Sequence, residues 1–236
     1  MTSIKEQVDY YNREWSIDER SYPNAWQLQR AIAILREIAA ARVVRPAICE
    51  LGAGTGWLTA MLGAVGDTLG VELSNVAVEA ARRRFPHVRF TCADVTTWEY
   101  PQEAFDVAVS HEVIEHVDDQ QAYVDAAHGL LKRGGRLILT TPNASAVEKM
   151  RPEARSHQPN ENVLTARQLR TLLQTRFANV RVRTLILGGA TRGIYRVLNA
   201  QRVHRAFHRA GLFARYEGLA CRAGLGLHLL ATADKV

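Results

Sequence analysis

The sequence predicts an α/β protein with a doubly wound, mostly parallel sheet and helices on both faces. Three observations predict it. Apolar β-rich runs alternate with helical periodicities, a glycine-rich turn follows the first run, and the 236 residues suit one domain. Strands buried on both faces read as continuous apolar runs, which is typical of a parallel sheet.

The apolar runs predict a seven-stranded sheet. The expected strands are 47–51, 68–72, 88–92, 105–110, 136–141, 180–187 and 227–233. We expect residues 1–236 to form a single domain with three parts: a helical lid at 1–44, a core at 45–187 and 227–236, and a basic helical insert at 188–226 before the last strand.

Helical periodicity fills the intervals between several strands. Apolar residues at i, i+3, i+4 and i+7 spacing predict helices over 28–39 and 122–131, and a capping box over 165–168 predicts the start of another. The pair Gly134-Gly135 is expected to end the second helix, as glycine does past a helix end.

The composition excludes several classes of protein. Hydrophobic residues make up 47% and charged residues 23%, which is inconsistent with wholesale disorder. No apolar run is long enough to span a membrane, and the polar first residues do not resemble a secretion signal. The 3 cysteines form no CxxC pair, so we expect neither disulfides nor a thiolate zinc site, and a cytoplasmic location.

The turn after the first strand carries the strongest functional signal. Gly52, Gly54 and Gly56 alternate there before a helix, which lets a ligand approach the backbone closely. Glu72 ends the next strand, where a carboxylate accepts both hydroxyls of a ribose. The dinucleotide fingerprint needs glycine where Trp57 stands, so a nucleoside cofactor other than a dinucleotide is favoured; a nicotinamide or flavin oxidoreductase is the rival class.

The stretch 50–56 reads E-x-G-x-G-x-G and resembles the first motif of class I S-adenosylmethionine-dependent methyltransferases. Further matches lie at 93–95, at the fourth strand 105–110 and at 130–137. The resemblance covers the predicted core and implies a Rossmann-like fold with S-adenosylmethionine as the cofactor. It also implies cofactor binding at the carboxyl ends of the strands.

The resemblance implies roles around the methionine part of the cofactor. Glu50 would hold its amino-acid end, and Ser110 and His111 would lie near the methyl group and sulfur. The loop around the methionine would be shaped by Gly52, Gly54 and Gly56.

The resemblance also implies roles around the adenosine. Glu72 would bind the ribose, Leu73 would pack on the adenine, and Asp94 with the backbone of Val95 would contact its edge. Tyr11 belongs to an aromatic N-terminal segment. That segment either packs on the sheet or covers the cofactor, and in related small-molecule enzymes such a tyrosine contacts the donor.

The run His111-Glu112-Val113-Ile114-Glu115-His116 follows the fourth strand. In a helical turn Glu112, Glu115 and His116 would share one face. They suit general base catalysis, with His116 or His111 taking a proton and Glu112 beside them. They also suit a divalent ion, with His157 as a fourth ligand.

The same run resembles ubiquinone-pathway O-methyltransferases and small-RNA 2′-O-methyltransferases, which pair this motif with a later histidine and use Mg²⁺ or a similar metal. The alternative is that the acids only orient the loop. The metal set would be Glu112, Glu115, His116 and His157.

The insert 188–226 holds seven arginines against one acid, Glu217. It is interpreted in four ways: a helical hairpin over the substrate entrance, a grip on an anionic substrate, a helix at the membrane interface, or, more weakly, an RNA-binding face. No basic and aromatic platform runs along the rest of the chain, so a nucleic-acid partner is not favoured.

The expected function is methyl transfer to a small or lipid-like acceptor, at oxygen first and nitrogen or carbon next, with histidine-assisted proton removal. The alternatives are an RNA 2′-O-methyltransferase with a Glu/Glu/His/His metal site and a non-catalytic cofactor-binding scaffold. The sequence does not indicate an oligomeric state.

Overall fold

Seven strands form the centre of the molecule. The computed structural model describes residues 4–16, 23–155, 158 and 160–236. The strands are β1 Ala47–Leu51, β2 Asp67–Glu72, β3 Arg89–Cys92, β4 Phe105–His111, β5 Leu131–Pro142, β6 Ala178–Leu185 and β7 His228–Asp234. They lie in one sheet in the order β3-β2-β1-β4-β5-β7-β6.

The strands β1 to β5 pair in parallel, whereas β7 runs antiparallel between β5 and β6. The predicted seven-stranded, mostly parallel sheet is therefore confirmed. The bounds of β2, β3, β4 and β7 differ from the expected ones by one residue and those of β6 by two, whereas β5 begins five residues before its expected start.

Helices flank the sheet and extend beyond it. They are α1 Ile4–Trp15, α2 Ala25–Ala40, α3 Trp57–Gly63, α4 Asn75–Arg84, α5 Gln120–Leu130, α6 Ala144–Val147, α7 Ala166–Leu173, α8 Tyr195–Leu198, α9 Gln201–Arg209 and α10 Phe213–Arg222. The predicted capping box of α7 is confirmed, since Thr165 and Gln168 cap each other. The helical segments at the N-terminus and before the last strand are confirmed as well.

The two faces of the sheet bury different residues, as the period of two in a strand requires. In β4, Val107 and Val109 pack with Ile34 of α2 and Leu58 of α3. The intervening Ala108 packs on the opposite face with residues of α5 and α7. Helices thus cover both faces, and each face has its own hydrophobic cluster.

The Gly134-Gly135 pair does not end α5, so that prediction is wrong. The helix ends at Leu130 and β5 begins at once with Leu131, whose side chain is fully buried and which pairs with Phe105. The next pair is Val107 with Arg136, so both glycines lie in an irregularity of the strand. Burial of the two leucines outweighs the local glycine signal.

The described helices include none that is both long and apolar enough to cross a membrane.

Candidate cofactor and acceptor site

A cavity of about 760 Å³ opens where the parallel strands end. Residues at or just beyond the carboxyl ends of β1 to β5 line it, as expected for a doubly wound sheet. Part of its lining comes from α1 and the first turns of α2. The predicted site residues that line it are Tyr11, Glu50, Gly52, Gly54, Glu72, Leu73, Asp94, Val95, His111, Glu112, Glu115 and His116.

The glycine loop needs its glycines. Gly52, Gly54 and Gly56 have φ values of +79°, +52° and +81°, a region that strains other residues. A Cβ atom on Gly52 would clash with Val113, and one on Gly56 would lie 2.6 Å from Phe90 Cζ. Gly56 supports the loop from outside the cavity lining.

Glu72 connects the second strand to this loop. Its carboxylate accepts the backbone N–H of Gly54 at 2.8 Å and that of Ser74 at 2.9 Å. Burial raises the pKa of Glu72, and the backbone donors at Ser74, Gly54 and Leu73 oppose that shift.

Glu50 and Asp94 place two more carboxyls at the cavity. Burial raises the pKa of Glu50 to about 8, although the Thr59 hydroxyl donates to it. Asp94 accepts the N–H and the hydroxyl of Thr96 on one oxygen, Oδ1, both at 2.8 Å.

The helix α1 covers the glycine loop. Trp15 lies against it, since a Cβ atom on Gly54 would come within 3.3 Å of the indole. Tyr11 lines the cavity, and burial raises the pKa of its phenol, so the hydroxyl stays protonated. Trp15 was not among the sequence-predicted site residues.

Ser110 lies below the cavity rather than in its lining. It is fully buried and accepts a hydrogen bond from the Tyr123 hydroxyl at 2.8 Å. Its neighbour His111 is the residue at the end of β4 that reaches the cavity.

The side chains of Glu112, Glu115 and His116 do not lie on one face of a helical turn, so that prediction is wrong. Only Ile114–His116 forms a short 3₁₀ turn, and Glu112 before it has φ +58°. Glu112 therefore turns toward α2 and β7, where it meets Arg30 Nε at 3.5 Å and His228 Nε2 at 3.2 Å. Glu115 instead accepts the Thr141 hydroxyl at 2.9 Å.

The described members of the predicted metal set, Glu112, Glu115 and His116, do not form a site for a divalent ion. Within the described residues, no group of three or more His, Cys, Asp or Glu side chains is placed to hold one. The charge of Glu112 is matched by the Arg30 guanidinium, which would repel a second cation. His157, the expected fourth ligand, lies outside the described residues.

The pKa values of Glu112 and Glu115 are shifted in opposite directions. Burial favours the neutral acid at both. His228 and Arg30 overcome it at Glu112 and lower its pKa to about 2. At Glu115 burial dominates, and the neighbouring Glu112 charge raises its pKa further. Glu112 is thus an ionised partner of Arg30 and a poor base.

His111 and His116 are both neutral near pH 7. Burial lowers the pKa of His111 to about 4 and also lowers that of His116. A hydrogen bond to the backbone of Asn160 partly opposes the shift at His116. The Nδ1 atom of His116 is buried and has no hydrogen-bond partner among the described residues.

Two residues that contact Glu112, Arg30 and His228, were not predicted from the sequence as site residues. Arg30 has a detectable signal, because it precedes Ile34 and Ile38 at a spacing of four residues on the buried face of α2. His228 lies in an apolar strand and shows no such signal.

The chain matches the model of a methyltransferase domain family over residues 24–213. The chain belongs to this family. The matched residues include the glycine loop, the acids Glu50, Glu72 and Asp94, and the run 111–116.

Individual methyltransferases resemble parts of the chain. Trans-aconitate 2-methyltransferase of Methylobacterium radiotolerans is 31% identical over 129 residues, 53% of this chain and 46% of that protein. The mitochondrial ubiquinone biosynthesis O-methyltransferase of Rattus norvegicus is 30% identical over 105 residues, 41% of this chain and 30% of that protein. The chain thus spans about half or less of the length of these relatives.

A solved S-adenosylmethionine-dependent methyltransferase of Thermotoga maritima has the same fold. It superposes with a TM-score of 0.63 at 19% identity, and the match covers 99% of each chain.

Proposed function

We propose that this protein transfers a methyl group from S-adenosylmethionine to a small-molecule or lipid-like acceptor. Oxygen is the first choice of accepting atom, and nitrogen or carbon comes next. One observation carries the proposal: the Gly52–Gly56 loop, whose Gly54 N–H is held by Glu72, borders a large cavity at the strand ends. Membership of the methyltransferase family supports it.

The residues present suit the donor. The buried carboxyls of Glu50 and Glu72 line the cavity, and their oxygens can accept hydrogen bonds from the amino group and the sugar hydroxyls of the donor. Asp94, Val95 and Leu73 would hold the adenine. When bound, the donor supplies an already activated methyl group, so the chain mainly orients the acceptor and excludes water.

His116 is the proposed base for a hydroxyl acceptor. Its ring lines the cavity, and its Nδ1 atom has no hydrogen-bond partner among the described residues. When the acceptor oxygen takes the methyl group and the methyl–sulfur bond of the donor breaks, the imidazole of His116 would take the proton that the hydroxyl loses. Glu112 assists indirectly by balancing the charge of Arg30.

Titration calorimetry with S-adenosylmethionine tests the donor site. We expect Glu72→Ala and Asp94→Ala each to weaken donor binding about 10- to 100-fold, the worth of a hydrogen bond to a charged group. Glu79→Ala is the matched control, since its side chain is 65% exposed on α4. Unchanged affinity in both site variants would remove the proposed donor site.

The rival functions give different results with the same protein. Radiolabelled donor and a panel of phenol and amine acceptors measure turnover. If the variant His116→Ala kept full turnover from pH 6 to pH 8, His116 would not be the base. Donor binding without transfer to any acceptor would indicate a scaffold, and steeply salt-dependent RNA affinity would indicate an RNA methyltransferase.

A further inference from the structure

A buried polar cluster joins three distant segments beside the cavity. Arg30 lies on α2, His111 is the last residue of β4, Glu112 follows it, and His228 is in β7; their side chains contact one another there. Arg30 is only 6% exposed. Among the described residues that line the cavity, it is the one Arg or Lys.

Hydrogen-bond chemistry fixes the state of His111. Arg30 donates from Nε to Nε2 of His111 at 3.1 Å. A guanidinium has donors and no acceptor, so Nε2 of His111 must supply a lone pair. A neutral imidazole has one N–H, which must then be on Nδ1. If the His111 ring were protonated, its Nε2–H would face the Nε–H of Arg30 at 3.1 Å, and two donors cannot form a hydrogen bond.

The remaining contacts hold Arg30 in place. Its NH1 atom lies 3.0 Å from Nε2 of His228, and its charge is balanced by Glu112. Removing one partner from a buried charged pair is costly, so the pair resists rearrangement. Trp57 meets the His111 ring edge to face at 5.6 Å, which fixes the plane of the imidazole.

We propose that Arg30 is a positioning residue that fixes His111 as its Nδ1–H tautomer, so that His111 donates a hydrogen bond to the acceptor molecule while His116 supplies the base. This rests on the proposed function and deepens it. The two histidines then have opposite polarity: His111 offers N–H and His116 offers a lone pair. Such a pair suits an acceptor with a hydroxyl beside a second oxygen that accepts a hydrogen bond.

The tautomer is directly measurable without any acceptor. Long-range proton–nitrogen spectra of ¹⁵N-histidine-labelled protein distinguish the two ring nitrogens. At pH 7 we expect His111 of the wild type to show the Nδ1–H pattern. In Arg30→Met the donor is gone, and we expect His111 to shift toward the Nε2–H pattern. Arg36→Met, an exposed arginine on the same helix, should leave the His111 signals unchanged.

The outcomes separate clearly. A wild-type His111 in the Nε2–H form overturns the proposal, and so does an Arg30→Met spectrum identical to the wild type. If Arg30→Met does not fold, the wild-type spectrum alone decides. Donor titration of the wild type is independent, so loss of donor binding with an Nδ1–H signal would contradict the proposed function and not the positioning role.

Discussion

Buried carboxyls dominate the chemistry of single residues at this site. Burial is the largest influence on Glu50, Glu72 and Glu115, and it raises the pKa of each. Glu112, in contrast, is held ionised by His228 and Arg30. Glu50, Glu72 and Glu115 therefore hold their protons more tightly than ordinary carboxyls, whereas Glu112 carries the negative charge beside Arg30.

Glu50 gives the stability of the protein a predictable pH dependence. Its pKa of about 8 exceeds the ordinary 4.5, so between these values the folded state binds more protons than the unfolded state. Stability consequently falls as pH rises from about 4.5 to about 8. We expect Glu50→Gln to reduce this loss by at least about 1 kcal/mol, or about 2–4 °C in Tm.

Thermal unfolding of both proteins between pH 5 and pH 8 measures the effect. Glu79→Gln serves as control because that side chain is exposed. Parallel Tm curves for the wild type and Glu50→Gln would contradict a raised pKa at Glu50.

The loop between β1 and α3 is the element on which donor binding depends. Gly52→Ala would place a methyl group against Val113 at φ +79°. We expect it to destabilise the protein by about 1–3 kcal/mol, the range for strained backbone positions. It should also weaken donor binding, because the loop must shift.

Gly218→Ala in α10 is the matched substitution. Its added Cβ meets nothing within 4 Å and its φ is not positive, so stability should rise by about 0.5–1 kcal/mol. Urea unfolding measures the free energy of unfolding, and titration calorimetry measures donor affinity. If Gly52→Ala and Gly218→Ala had equal stability and equal donor affinity, the loop would tolerate a side chain at position 52.

The elements were predictable to different degrees. Periodicity predicted every strand and the helices α2 and α5, because burial on the sheet dominates those segments. The end of α5 was predicted wrongly because the fully buried Leu130 and Leu131 decide it and the following glycines do not. Glu112 departed from helical geometry because its pairing with Arg30 and His228 is a long-range contact.

The candidate site was predictable where its parts are local. The loop and its acids follow from a short motif. The Arg30–His228 contact joins residues 198 positions apart, and no local pattern indicates it. Burial of a lone arginine on an apolar helix face was the available hint.

The charge of the whole molecule is concentrated in the insert 188–226. The formal net charge of the chain is +6, and the insert alone contributes seven arginines and one glutamate. Arg202, Arg205 and Arg209 are exposed on α9. Ile194, Val197 and Leu219 are 58%, 64% and 65% exposed nearby in sequence. From this combination we predict contact of the insert with an anionic membrane surface.

Vesicle sedimentation tests that contact. We expect binding to vesicles with one third phosphatidylglycerol, weakening with salt, and little binding to pure phosphatidylcholine. Changing Arg202, Arg205 and Arg209 to Glu should abolish it, since each basic residue near such a surface contributes about 1 kcal/mol. The same change at three exposed arginines elsewhere, Arg133, Arg167 and Arg181, is the control. Equal binding by both triple variants would contradict a role for the insert.

The pairing of β6 with β7 affects how freely the sequence between these two strands can change. Leu185 and His228 are register partners, so the chain leaves and re-enters the sheet at neighbouring points. Whatever length of polypeptide lies between them is accommodated outside the sheet, and substitutions there do not have to preserve strand order. His228 itself is constrained by its contacts with Arg30 and Glu112. The intervening segment can therefore change in length and sequence without disturbing the strand order, while its attachment point at His228 stays tied to Arg30 and Glu112.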